Sequence, residues 1–171
     1  ARRRARRYGG AMTTAVCPGS FDPVTLGHLD VIRRARSMFD HVVVGIARNA
    51  GKSPLLEVSE RVRLAQAALA EIDGVEVAVV PGLLVDFCRE VGAVAIVKGL
   101  RGGADYDAEV PMALMNRHLT GVETVFVTGD PGLAHIASSL VKDVARHGGD
   151  VRDLVPPGVA EALERALGKI S

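Results

Sequence analysis

Hydrophobic spacing along the chain gives five short apolar runs separated by segments of helical period. Thr13 to Cys17 reads as a strand entering the turn-rich stretch Pro18-Gly19-Ser20-Phe21-Asp22-Pro23. From Gly27 to Phe39 the pattern turns helical, with Leu29, Ile32 and Phe39 able to share one face. His41 to Ala47 is almost continuously apolar, as expected of a strand covered on both sides. Gly51, Ser53 and Pro54 mark a loop. A helix starting near Glu57–Glu60 then carries Val62, Ala65, Leu69 and Ile72 at helical spacing.

Val75 to Val80 is again β-rich, and Leu84, Phe87, Cys88 and Val91 follow at i, i+3, i+4, i+7, with Gly92 closing that helix. Ala93 to Val97 is a fourth strand, leading into Lys98-Gly99-Leu100-Arg101. A helix from about Asp105 to Leu119 contains Pro111, which predicts a kink or a late start. Thr124 to Thr128 is a fifth strand, and Ala137 to Arg146 and Pro157 to Leu167 are helical. This alternation argues for a single Rossmann-like, doubly wound α/β domain with a five-stranded parallel sheet and helices on both faces. Ligands of such sheets bind outside the carboxyl ends of the strands. The chemistry is therefore expected on the loops after Cys17, Ala47, Val80, Val97 and Thr128.

Composition narrows the class. The chain has 171 residues, 48% hydrophobic and 24% charged, which disfavours disorder. Two cysteines, Cys17 and Cys88, are too few for a disulfide scaffold. No apolar run reaches the roughly 20 residues of a membrane-spanning helix. The net charge of +1 is a sum of unlike parts. Arg2, Arg3, Arg4, Arg6 and Arg7 crowd the start, and from Met12 onward 16 basic residues face 20 acidic ones, a charge of −4. Residues 1–11 are read as a disordered Arg-rich leader and 12–171 as the domain. An arm that binds phosphate backbones and an organelle transit peptide are the other readings of such a segment.

The first strand ends in Gly19-Ser20-Phe21-Asp22-Pro23-Val24-Thr25-Leu26-Gly27-His28. A helix beginning at Gly27-His28 offers free N–H groups and a partial positive charge to a phosphate, and His28 a donor to a phosphoryl oxygen. For Gly-His alone, a capping turn with a solvent-facing His is the competing reading. Lys98 and Arg101 stand three apart at a strand end and repel unless an anion joins them, which gives a phosphate site a physical reason. The five histidines are scattered without zinc-type spacing, so no protein-held metal is expected.

The ten-residue string resembles the signature of the nucleotidyltransferase superfamily. Thr25 stands at the first His position, as in the phosphopantetheine adenylyltransferases of coenzyme A synthesis. The similarity runs from Thr14 to about Leu167. It takes in Lys98-Gly99-Leu100-Arg101, Asp105, Glu109, Met115-Asn116-Arg117-His118 and Ser138-Ser139-Leu140-Val141-Lys142-Asp143-Val144. The resemblance implies ATP and 4′-phosphopantetheine as substrates, Mg²⁺ carried by the ATP, and in-line attack of the acceptor phosphate with no protein nucleophile.

It further implies catalytic roles for His28, Lys52 and Arg101. ATP would meet Ser20, Phe21, His28, Gly99, Leu100, Arg101 and Glu109, and then the run His135, Ile136, Ala137, Ser138 and Ser139. Phosphopantetheine would meet Ser20, Lys52, Leu84 and Lys98. A homohexamer working in the cytoplasm, without nucleic-acid or membrane partners, is implied in the same way. The stretch Gly129 to Ser139 departs from the pattern: His135 replaces an aromatic, Ala137 replaces the first serine, and Asp130-Pro131-Gly132 is unusual. Ser138 and Ser139 are expected to cap a helix there and to bind ATP phosphates. The other functions weighed at this level are a sister nucleotidyltransferase (nicotinamide mononucleotide, or glycerol phosphate with CTP), an inactive nucleotide-binding homologue, and a nucleic-acid binder using the arm.

Overall fold

In a computed structural model, which describes residues 12–48 and 53–169, five strands form one parallel sheet. They are β1 (Thr14–Gly19), β2 (His41–Ala47), β3 (Val75–Val80), β4 (Ala93–Leu100) and β5 (Glu123–Thr128), in the spatial order β3-β2-β1-β4-β5. The helices are α1 (Leu26–Met38), α2 (Val58–Leu69), α3 (Leu84–Glu90), α4 (Gly103–Thr120), α5 (Ser138–Arg146) and α6 (Val159–Ala166). The leader at 1–11 and Lys52 lie outside the described residues.

Strand side chains alternate between faces, and both faces are apolar because both are covered. Ala15, Cys17, Val42, Val44 and Ile46 pack with α1, α2, α5 and α6 into the larger core, which Leu29, Ile32, Leu64, Val141 and Leu163 fill. Val16, Val43 and Ile96 point the other way, onto Phe87 and Cys88 of α3. The doubly wound parallel architecture expected from the sequence is the one observed.

Two local expectations are corrected. β4 does not stop at Val97 but runs to Leu100, with Lys98, Gly99 and Leu100 paired to Phe126, Val127 and Thr128. Continuing the ladder satisfies backbone groups that a turn would leave to water. Lys98 therefore shares a face with Ile96, toward α4. Gly99 faces α1, where a Cβ would collide with the Val31 side chain, so only glycine lets helix and strand approach this closely. Nor does Pro111 delay its helix, since α4 is continuous from Gly103 to Thr120 across it.

The strand order reverses between β1 and β4, the switch point at which the carboxyl ends of neighbouring strands diverge and leave a crevice. α1 forms one wall of that crevice and is held down by Ile32, 1% exposed. Ile32→Ala should lower the unfolding free energy by about 2–5 kcal/mol in urea titration, the range for emptying a packed aliphatic site. A change below about 0.5 kcal/mol would contradict this packing role.

Candidate active site

A cavity of about 800 Å³ opens at the switch point. Its walls are the end of β1, the first turn of α1, the end of β4, the start of α4 and the loop from Thr128 to Ser139. Of the residues singled out from sequence, Phe21, His28, Lys98, Gly99, Leu100, Arg101, Glu109, Ile136, Ala137, Ser138 and Ser139 line it. Three others stand outside that lining: Ser20 is exposed beside it, His135 is exposed on the far loop, and Leu84 packs against the α3 core.

The first turn of α1 sets the chemistry of His28. Thr25 is the N-cap and accepts from the His28 N–H, while the Thr25 N–H donates to His28 Nδ1 at 3.0 Å. This is a capping box with histidine in the place usually held by glutamate or glutamine. A backbone N–H can donate to Nδ1 only if that nitrogen holds its lone pair, so in the neutral ring the proton sits on Nε2. Burial pushes the imidazole down to about 4, and the nearby charges of Arg101 and Lys98 push in the same direction. At neutral pH His28 is thus an uncharged Nε2–H donor, with Phe21 stacked at a tilt 4.8 Å away.

The two cations are not left facing each other. Arg101 makes a bidentate pair with Asp105, both bonds at 3.0 Å, and Asp105 also accepts the Arg101 N–H at 2.9 Å. Lys98 Nζ lies 3.0 Å from Glu109 Oε1. Asp105 and Glu109 are four apart on α4, so one helix face supplies both counter-charges. The expected repulsion is relieved by carboxylates of the chain itself. Part-exposed pairs of this kind contribute only about 0–1 kcal/mol each, so an arriving phosphate can take the cations over.

Beneath the loop after β1 lie two buried charges. The Asp22 carboxylate accepts from the Leu55 and Leu56 N–H groups and from Lys142 Nζ at 2.7 Å. Burial raises its pKa, but the Lys142 ammonium and the two N–H groups outweigh this and hold it below the ordinary carboxylate range. Arg61, 2% exposed, donates to the carbonyls of Leu56, Ser20 and Ala47. Between these anchors Phe21 is held at φ 48°, a left-handed conformation costly for an aromatic residue. A Cβ on Gly19 would stand 3.0 Å from the Phe21 ring, which explains the glycine there.

The divergent loop is organised differently from the expectation. Asp30 of α1 accepts the Asp130 N–H at 2.8 Å, and Asp130 accepts the Gly132 N–H at 2.7 Å. The N-cap of α5 is Ala137, without a side-chain bond, which corrects the expected serine cap. Ser138 is already helical, and its hydroxyl donates to the Pro23 carbonyl at 2.8 Å. Arg61, Asp22 as a clamp and Asp30 were not identified from sequence, and Asp105 was named there as a motif residue without its pairing to Arg101. A buried arginine or a helical acid carries no local signal, although Asp105 at i+4 from Arg101 was a readable hint.

Among the described residues no cluster of three or more His, Cys, Asp or Glu is placed to hold a metal. Of the carboxylates at the cavity, Asp105, Glu109 and Asp30 are paired with Arg101, Lys98 and Arg34. Cys17 lies in the cavity floor, and burial pushes its thiol up to about 12, too high for a thiolate nucleophile at neutral pH.

A switch-point cavity with a helix N-terminus, a neutral histidine and two cations defines a nucleotide-handling α/β protein, and comparison with known proteins gives the class. A family model described as cytidylyltransferase-like matches residues 16–144. A phosphopantetheine adenylyltransferase of Nocardioides sp. (strain ATCC BAA-499 / JS614) is 55% identical, over 91% of this chain and 98% of its own. One from Bifidobacterium longum (strain DJO10A) is 54% identical over 91% and 95%. A solved structure of a provisionally assigned nicotinate-nucleotide adenylyltransferase from Vibrio parahaemolyticus superposes with a TM-score of 0.68 at 17% identity, covering 94% and 98% of the two chains, and so shares the fold. The chain belongs to the cytidylyltransferase-like nucleotidyltransferases and, within them, to the phosphopantetheine adenylyltransferase family.

The lowered His28 pKa has a definite sign. Folding favours the neutral ring, so its contribution to stability is complete above the ordinary value of 6.5 and is lost as pH falls toward about 4. In ¹⁵N-resolved NMR the His28 ring should remain the Nε2–H tautomer from pH 8 to about pH 5. Titration near 6.5 or an Nδ1–H tautomer would overturn this assignment.

Proposed function

We infer that the chain transfers the adenylyl group of ATP to 4′-phosphopantetheine, giving dephospho-coenzyme A and pyrophosphate. The names of the curated relatives support the substrate pair. The observation that carries the mechanism is the pinned, uncharged His28 Nε2–H donor in the same cavity as Lys98 and Arg101.

An oxygen of the acceptor phosphate attacks the α-phosphorus. The bond to the β-phosphate's bridging oxygen breaks, and its electron pair leaves with pyrophosphate. Charge shifts onto the oxygens around the α-phosphorus during this exchange, and catalysis is positioning plus electrostatic stabilisation. A neutral donor grips a ground-state polyanion less than a cation does, so more of its effect falls in the transition state. Lys98 and Lys52 take the acceptor phosphate, Leu84 the pantetheine arm, and Arg101 the nucleotide phosphates with Ser138 and Ser139. Ser20 and Phe21 stand between the substrates, and Gly99, Leu100, Glu109 and the run His135, Ile136, Ala137 hold the adenosine side. Mg²⁺ enters as part of the ATP substrate.

The assembly we propose is a homohexamer, by resemblance to the family. Exposed apolar side chains on α4, among them Met112 (59%) and Met115 (52%), support self-association. No helix of the described residues is long and apolar enough to cross a membrane. A cytoplasmic setting fits the substrates.

The purified chain should release pyrophosphate from ATP only when phosphopantetheine is present. His28→Ala should lower kcat by about 10²-fold or more while ATP affinity stays within about threefold. No release from the parent chain would refute the substrate pair, and equal losses in kcat and affinity would refute the role of His28. Sedimentation equilibrium tests the assembly, and a monomer at micromolar concentration would overturn it.

A further inference from the structure

Arg61 is placed where a cation is hardest to keep. It is 2% exposed, and it lies in the first turn of α2, where the helix dipole disfavours positive charge. Among the described residues it bonds to no carboxylate. Its three hydrogen bonds go to the carbonyls of Leu56 (3.0 Å), Ser20 (2.7 Å) and Ala47 (3.0 Å). An interior charge without an acid beside it is expensive unless it is fully hydrogen-bonded or an anion completes it.

The bond to Ser20 has a geometric consequence. The Ser20–Phe21 peptide is trans, so its C=O and N–H lie in one rigid plane and point in opposite directions. With the C=O drawn down to the guanidinium, the Phe21 N–H is turned away from Arg61. That N–H donates to no other group among the described residues. Phe21 itself lines the cavity, and its positive φ shows that this loop is held in a conformation it would not choose alone. The Ala47 carbonyl ties the end of β2 to the same fork. Arginine, unlike lysine, offers several donors in one plane and can hold three carbonyls together.

We propose that Arg61 is a positioning residue for phosphoryl transfer: it fixes the Ser20–Phe21 peptide so that the Phe21 N–H donates to a substrate phosphoryl oxygen, and its own charge is balanced by the substrate's phosphates. The inference rests on the reading of the cavity as the adenylyl-transfer site, and Arg61 itself touches neither substrate.

Two measurements on the full chain test it. In ¹⁵N-labelled protein the Phe21 amide resonance should move downfield when ATP is added. In Arg61→Lys, which keeps the charge but not the fork, that shift should be lost and kcat should fall at least about tenfold. The KM for phosphopantetheine should change less than about threefold. Arg61→Gln, which loses the charge as well, should also weaken ATP binding. A merely structural arginine would lower the folded fraction and leave the remaining folded enzyme with normal kcat. The inference is overturned by an unmoved Phe21 amide in the parent chain, by Arg61→Lys turnover within about threefold of the parent, or by losses that follow the folded fraction alone. Should Arg61→Lys fail to fold, Arg61→Gln is read in its place, and a Phe21 amide that still shifts with ATP there overturns the inference. A parent chain that shows the amide shift with ATP but no turnover with phosphopantetheine would sink the substrate assignment and leave the role of Arg61 standing.

Discussion

The Asp22 carboxylate joins three segments beside the cavity that are far apart in the chain. One oxygen accepts from the Leu55 N–H and the Lys142 ammonium, the other from the Leu56 N–H, across sequence separations of 33, 120 and 34 residues. A carboxylate taken out of water loses several kcal/mol of solvation, returned only if its lone pairs meet donors in good geometry. Here they meet a cation and two amides, so the arrangement holds only when the loop after β1, the segment before α2 and helix α5 are all in place. The same loop carries Phe21 and leads through Val24 and Thr25 into α1. The position of His28 therefore depends on a clamp it never touches.

The electrostatics of the cavity follow from what that clamp allows. A body with more acids than bases has to attract polyanions, and it does so by location. Lys98 and Arg101 sit at the end of β4, each neutralised in the free protein by a carboxylate of α4. Their exchange of partner costs little because both pairs are part-exposed. His28 differs in kind. Its Nδ1 faces an N–H donor, so protonation there would break the capping box as well as add a charge beside two others. The ring is kept as a fixed dipole, and in the proposed mechanism the strongly charged groups do the binding. That division of labour separates ground-state affinity from transition-state stabilisation.

Elements governed by local pattern were legible in the sequence. β2, buried on both faces, and β3, part-exposed at the sheet edge, both have the boundaries their apolar runs suggest. The end of β4 was not legible, because Lys98-Gly99-Leu100 looks like a turn until the partner strand supplies its ladder. For the candidate site, the Gly19–His28 string pointed to α1 and its histidine. The tautomer of that histidine depends on a backbone bond no spacing rule contains. Asp22 and Arg61 were invisible as a pair for the same reason: all their partners but Lys142 are peptide groups, and peptide groups carry no residue identity. The serine cap of α5 failed because Ser138 has a better acceptor in the Pro23 carbonyl, far away in sequence.

The divergent loop illustrates how one constraint substitutes for another. An aromatic side chain in such a loop would anchor it by burying area, and His135 does not do this, for it is exposed. The loop is fixed instead at both ends by polar bonds: Asp30 to the Asp130 N–H at one end, Ser138 to the Pro23 carbonyl at the other. Between them Ile136 is buried in the main core, and Asp130 closes a short turn on Gly132. Asp130-Pro131-Gly132, which looks anomalous as sequence, is therefore a turn-forming unit with its acceptor in position and a residue of fixed φ at its first helical place. Both anchors lead back to α1 and to the loop before it, the elements that Asp22 and Thr25 hold. The wall whose sequence departs from the family pattern is thus tied to the elements that Asp22 and Thr25 hold, by bonds to Asp30 and to the Pro23 carbonyl.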